Sequence, residues 1–176
     1  MRKRQIEPFA HGRVRLRLLS EPDLPMTLAW RNQDHIRKWF FDSAPITAEQ
    51  HRAWFAQYAD RDDDFVFIIE ETREFLKPVG QLAVYKIDYA VGRGEFGRIL
   101  IGEADAARTG LAREATRLLV HFTFEQLGLI EVVAFVKNDN LVSQRMLLSS
   151  GFHETGERNE LKGFIVRSPQ GAKFLG

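Results

Sequence analysis

The chain has 176 residues, 44% of them hydrophobic, and its 25 Lys and Arg against 24 Asp and Glu leave a formal charge of +1. That is enough for one sizeable core, and a second domain would have little to fill it, so a single domain over residues 1–176 is expected. The near-neutral balance gives no global field for nucleic acid or an anionic membrane, and the lack of cysteine excludes disulfides, thiolate metal sites and a cysteine nucleophile.

The basic start Met1-Arg2-Lys3-Arg4 is not followed by a long apolar run, so neither a signal peptide nor a membrane span is indicated and a cytoplasmic location is expected. Arg13 to Leu19 alternates basic and apolar residues, as a strand with one buried face does. Ser20-Glu21-Pro22-Asp23 signals a helix start, with Ser20 as N-cap, and the helix runs to about Arg31. Thr47-Ala48-Glu49-Gln50 repeats the device, and Trp54, Phe55 and Tyr58 give that second helix an apolar stripe.

A charged break over 60–64 precedes an apolar run from Phe65 to Ile69, which suits a buried strand, and Pro78 to Tyr85 gives the next. Gly92-Arg93-Gly94 leads into a third strand, Glu95 to Ile101, with a carboxylate near its start. Arg108-Thr109-Gly110-Leu111-Ala112 opens a long amphipathic helix, whose unpaired N–H groups and positive dipole end favour a phosphate. Val132 to Val136 is a strand, Asn140-Leu141-Val142-Ser143 starts a helix ending at Gly151-Phe152, and two strands follow around 156–167. The order predicts an α/β fold in which early antiparallel strands meet a parallel strand–helix–strand unit formed by Glu95 to Val136.

Several of these residues admit two readings. Gly110 and Ala112 serve a phosphate or only tight helix packing. Asn140 and Ser143 serve as helix caps, a common use of both residue types, or as ligand contacts. Glu95 is a candidate proton acceptor, or it sits at a strand start in solvent or pairs with Arg93 or Arg98. Glu103 is a second carboxylate placed nearer the phosphate turn. His51 is a proton acceptor or a surface helix residue, with the surface reading preferred. His35, His51, His121 and His153 lie on separate predicted elements, so no metal site is expected.

The order and spacing from Gly94 to Phe152 resemble the GNAT superfamily of acyl-CoA-dependent N-acyltransferases. Its pyrophosphate loop is written Gln/Arg-x-x-Gly-x-Gly/Ala; Gly110 and Ala112 match the last two positions, while Ala107 stands where the first basic residue falls, beside Arg108. Asn140-x-x-Ser143 with Leu147 and Gly151-Phe152 is similar to the RimJ/RimL branch, whereas many relatives carry a tyrosine at the Leu147 position. Trp30-Arg31-Asn32, Ile36-Arg37, Ile46-Thr47, His51, Trp54-Phe55, Val79-Gly80-Gln81 and Glu95-Phe96-Gly97 resemble amino-sugar-nucleotide acetyltransferases of the PseH type. The likeness spans roughly Val14 to Gly156.

This resemblance implies a mixed, mostly antiparallel sheet with a splayed central parallel strand pair flanked by helices. It implies acetyl-CoA as co-substrate, held by Leu100, Ile101, Arg108, Thr109, Gly110, Leu111, Ala112, Asn140 and Ser143. Its pantetheine arm would pair with backbone near Leu100 and Ile101. Glu95 would deprotonate the amine, a backbone amide near Leu100 would bind the oxyanion, and Ser143 would guide a proton to the departing sulfur. Trp30, Arg31, Asn32, His51 and Tyr85 would meet the acceptor, where a nucleotide diphosphate would use a cationic rim. The expected partner is a small-molecule amine on an amino-sugar nucleotide. A protein amino terminus is the alternative, and a non-catalytic acyl-CoA sensor the alternative of another class. Neither nucleic acid nor membrane is expected as a partner, and a homodimer is admitted.

Overall fold

A computed structural model describes residues 6–169; the basic start at 1–4 lies outside them. The elements in chain order are strands β1 (Phe9–His11) and β2 (Val14–Leu18), helices α1 (Leu24–Arg31), α2 (Asp34–Arg37) and α3 (Ala48–Ala59), strands β3 (Phe65–Glu71), β4 (Lys77–Asp88) and β5 (Arg93–Ile101), helix α4 (Leu111–Glu125), strand β6 (Glu131–Lys137), helix α5 (Leu141–Ser149), and strands β7 (His153–Arg158) and β8 (Leu161–Arg167). Eight strands form one sheet in the order β1-β2-β3-β4-β5-β6-β8-β7. Every neighbour pair is antiparallel except β5 with β6. This is the mixed, mostly antiparallel α/β arrangement expected from the sequence.

The local signals behave as their chemistry requires. Thr47 accepts the Gln50 N–H while the Gln50 side chain accepts the Thr47 N–H, a reciprocal cap that starts α3. At Ser20 the backbone N–H and the hydroxyl both donate to Asp23, and a single 3-10 turn over Glu21–Asp23 carries the chain into α1. β1 and the four-residue α2 are additions that the sequence pattern does not announce. β1 is too short for a period, and it stays because Phe9 stacks on Phe122 of α4 at 4.5 Å and meets Phe67 edge-on.

β3 is buried on both faces, and its alternate residues divide between two cores. Phe65, Phe67 and Ile69 pack with Leu111, Ala115 and Leu119 of α4 and Leu147 of α5, while Val66 and Ile68 pack with Tyr58 of α3. Helices α4 and α5 therefore cover one face and α1 and α3 the other. Among the described residues no helix is long and apolar enough to cross a membrane.

The central strand β5 departs from regular pairing on both of its sides. Its parallel pairing with β6 ends at Phe96 opposite Ala134, although β5 runs on to Ile101 and β6 to Lys137, so the two strands part at their carboxyl ends. On the other side of β5 the register with β4 slips between Gln81–Leu100 and Ala83–Gly97, which leaves one extra residue in β5. Arg98 lies in that bulge with φ +51, a left-handed conformation that costs a non-glycine residue about 1 kcal/mol and re-aims the strand.

Candidate active site

The gap between the parted strands is the mouth of a cavity of about 890 Å³. Its wall takes in the turn before α4, the first turn of α5, and Trp39, Phe40 and Phe41 in the segment after α2. Leu100, Ile101, Arg108, Thr109, Gly110, Leu111, Ala112, Asn140, Ser143 and Tyr85, ten of the residues singled out in the sequence, line it. Glu95, Trp30, Arg31, Asn32 and His51 do not.

In the turn before α4 the main chain dominates. Gly110 has φ +89 as the N-cap of α4, a region closed to most side chains, and Arg108 before it is also left-handed at φ +62. Among the described residues, none accepts a hydrogen bond from the N–H groups of residues 108 to 113. Residues 111 to 113 open a 15-residue helix, whose dipole is positive at that end. The turn is held from behind by Arg13, a residue the sequence pattern does not single out. Its guanidinium donates to the Thr109 carbonyl at 2.6 Å and to Glu114 at 2.8 Å, which raises the Arg13 pKa above its ordinary value. Across the cavity Asn140 caps α5 by accepting the Ser143 N–H at 3.2 Å. Of the two readings for this pair, capping belongs to Asn140, and the Ser143 hydroxyl has no hydrogen-bond partner among the described residues.

Around Tyr85 the wall is built from side chains. Arg98 lines the cavity, donates to both oxygens of the buried Asp64 at 2.8 and 3.0 Å, and lies 4.3 Å from the centre of the Tyr85 ring. The Tyr85 hydroxyl donates to Glu95 at 2.8 Å, and Lys86 donates to the other Glu95 oxygen at 2.8 Å. Burial, then the adjacent Glu95 carboxylate, push the Tyr85 hydroxyl well above the ordinary phenol range. Lys137, at the end of β6, donates to the Lys38 carbonyl at 2.9 Å and ties the aromatic segment to the sheet.

Several expectations need correction. Glu95 pairs with Lys86 and Tyr85, whereas Arg93 pairs with Glu131 and Arg98 with Asp64, because the β5 bulge turns Arg98 toward β3. Glu103 is occupied by Trp30 Nε1 and Lys77, and the Lys77 hydrogen bond holds its carboxyl below the usual range. Trp30 is only 3% exposed and packs on Gly102, where a Cβ would fall 2.0 Å from its ring. Arg31 donates to the Asp42 carbonyl and lies under the Phe40 ring at 4.0 Å, so it braces the aromatic segment from outside the cavity. Asn32 brackets Ile46, donating to its carbonyl and accepting its N–H. His51 is buried, not on the surface: its Nε2 lies 3.0 Å from the Thr27 hydroxyl and its ring stacks on Trp54, and burial lowers its pKa.

Among the described residues no carboxylate lines the cavity, whose charged walls are Arg98, Arg108, Arg113 and Lys137. Nor does any cluster of three or more His, Asp or Glu side chains among them form a site for a metal ion. An anion with a narrow arm suits the turn before α4, and an aromatic or anionic body suits the aromatic and cationic side chains of the wall.

The model of a family described as acetyltransferase (GNAT) domain matches residues 13–153. The uncharacterized protein MJ1062 of Methanocaldococcus jannaschii is 26% identical over 85% of the chain, and the uncharacterized N-acetyltransferase YoaA of Bacillus subtilis is 33% identical over 49% of it. The chain spans 30% and 48% of the lengths of those two relatives. Among solved structures, a domain from M. jannaschii superposes with TM-score 0.77 at 25% identity, covering 90% of this chain and 100% of that one. A spermidine N-acetyltransferase from Vibrio cholerae, in complex with CoA and spermine, superposes with TM-score 0.80 at 19% identity, covering 94% and 100%. An acetyltransferase of the GNAT family from Bacillus anthracis gives 0.77 at 15%, covering 92% and 98%.

Proposed function

The chain belongs to the GNAT family of acetyltransferase domains, and from that premise we propose that it moves an acetyl group from acetyl-CoA directly to a primary amine on an amino-sugar nucleotide. The carrying observation is one cavity whose wall joins the backbone turn at the α4 start to the aromatic Trp39 to Phe41 segment and, among the described residues, holds no carboxylate. The pyrophosphate takes the free N–H groups of residues 108 to 113, and the pantetheine arm runs along the unpaired edge of β5 at Leu100 and Ile101. An amide in the bulged segment of β5 stabilises the oxyanion, and Ser143 guides a proton to the sulfur. Glu95 receives the proton of the acceptor ammonium.

At the acceptor end, aromatic rings suit a base and Arg98 and Lys137 suit a diphosphate. A polycation finds no counter-charge there, so the spermine bound by the V. cholerae protein is not the acceptor chemistry proposed for this chain. The described residues share one sheet, which supports a single domain over 1–176.

Thiol release from acetyl-CoA, followed across amino-sugar nucleotides, amino-terminal peptides, polyamines and aminoglycosides, tests the reading. Amino-sugar nucleotides should turn over fastest. A preference for amino-terminal peptides, as in the RimJ/RimL branch, would replace the acceptor, and donor binding without turnover on any amine would make the chain an acyl-CoA sensor.

A further inference from the structure

Glu95 is only 8% exposed and forms no part of the cavity wall. Both of its oxygens are engaged within the protein, Oε1 by the Tyr85 hydroxyl and Oε2 by Lys86, each at 2.8 Å. An acceptor in the cavity therefore meets Tyr85 before it can meet Glu95. The hydroxyl stands where the sheet opens: it lies over Gly97, at which a Cβ would approach it to 2.7 Å, one residue past the last parallel pair Phe96–Ala134. Its ring is held by the Arg98 guanidinium at 4.3 Å, itself anchored on Asp64, whose side chain is 3% exposed. Positive φ at Lys86 and Arg98 marks a bulge on each side of this group, in adjacent strands.

We propose that Tyr85 is the group that contacts the acceptor nitrogen and relays its proton to Glu95. This rests on the direct-transfer reading above. One proton of the ammonium passes to Tyr85 Oη as the proton already on Oη passes to Glu95 Oε1, so the hydroxyl is regenerated and no tyrosinate forms. The neutral amine then forms the N–C bond at the thioester carbonyl. When the C–S bond breaks, the second nitrogen proton ends on the sulfur, and Glu95 returns its proton to solvent through Tyr85. The high proton affinity of the Tyr85 oxygen is compatible with this concerted path and opposes a stepwise one through the anion.

Tyr85→Phe, Glu95→Gln and the double variant are compared by single-turnover rates with acetyl-CoA and the fastest amine of the panel, with acetyl-CoA affinity and thermal melting as controls. Each single change should slow the chemical step by ~100-fold or more, and the double variant should be no slower than the worse single one, as for residues acting as a unit. Acetyl-CoA affinity should stay the same, and the wild-type rate in mixtures of light and heavy water should fall along a bowed curve, with two protons in flight. Neither pattern follows from a structural role. A folded Tyr85→Phe variant at the wild-type rate, beside a slowed Glu95→Gln variant, would overturn the relay and leave Glu95 as base. Multiplicative losses in the double variant would also overturn it. Wild-type rates in both variants would remove Glu95 from the direct-transfer reading as well.

Discussion

Two parts of the cavity wall are made of different material. The part at the start of α4 and α5 is main chain: free N–H groups at 108 to 113, a left-handed glycine, and a strand edge released by the parting of β5 and β6. The part at Tyr85 is side chain, in which Asp64 of the β3 approach, Tyr85 and Lys86 of β4, and Glu95 and Arg98 of β5 hold one another. A main-chain site tolerates most side-chain deletions and fails when bulk or charge is added. A side-chain network fails when one polar atom is removed.

Gly110→Asp tests the first half of that contrast most severely. It sets a like charge against the diphosphate and a side chain at φ +89, so acetyl-CoA affinity should fall by ~100-fold or more. Calorimetry on the folded variant reads this, and an unchanged affinity would take the turn out of the site. Gly102→Val should come next. Its Cβ falls on the Trp30 ring, and overpacking should cost about 1–3 kcal/mol in denaturant unfolding, loosening α1 under the aromatic segment. An unaltered unfolding midpoint would mean that Trp30 does not set that packing.

Asn140 and Ser143 sharpen the contrast within α5. Loss of the cap in Asn140→Ala should cost about 1 kcal/mol of stability. Ser143→Ala should leave the unfolding midpoint alone and slow the single-turnover rate, since its hydroxyl serves no helix bond. The reverse result would exchange the two roles.

The smallest effect is a pH dependence at His51. Burial lowers its folded pKa below the unfolded value near 6.5, so the unfolded state binds the proton first as pH falls. The stability that neutral His51 contributes is complete above pH ~6.5 and is lost as pH drops below it, through the lower folded pKa. Thermal melts at neutral and mildly acidic pH should show this loss in the wild type and a smaller one in His51→Gln. Equal losses would place the titration elsewhere.

The starts of α4 and α5 were legible in the sequence because their signals are local. Arg108 to Ala112 and Asn140 to Ser143 are short runs whose glycine, cap and following apolar period favour a helix start. The alternating and continuous apolar runs likewise implied the strands, and Glu95 to Val136 the parallel unit. Arg13 was beyond reach, since its hold on Thr109 spans 96 residues and arises only when β2 lies beneath α4.

The residues proposed for an acceptor were legible only as residue types. Trp30, Arg31, Asn32 and His51 have the chemistry of a substrate site, but the packing of α1 against α3 and Gly102 turns them into braces, while Trp39, Phe40 and Phe41 take the cavity wall. Glu95 was found by its place on a strand, but its partners depended on two bulges that shift the β4–β5 register by one residue each. A one-residue shift moves a side chain to the other face of a sheet, and no local pattern in this chain encodes it. The sequence by itself determined β2 to β6 and the helix starts at Thr47, Gly110 and Asn140, because those depend on neighbours in the chain. The tertiary structure decided which carboxylate meets which cation and which hydroxyl meets the cavity, because those contacts join residues 9 to 34 positions apart across bulged strands.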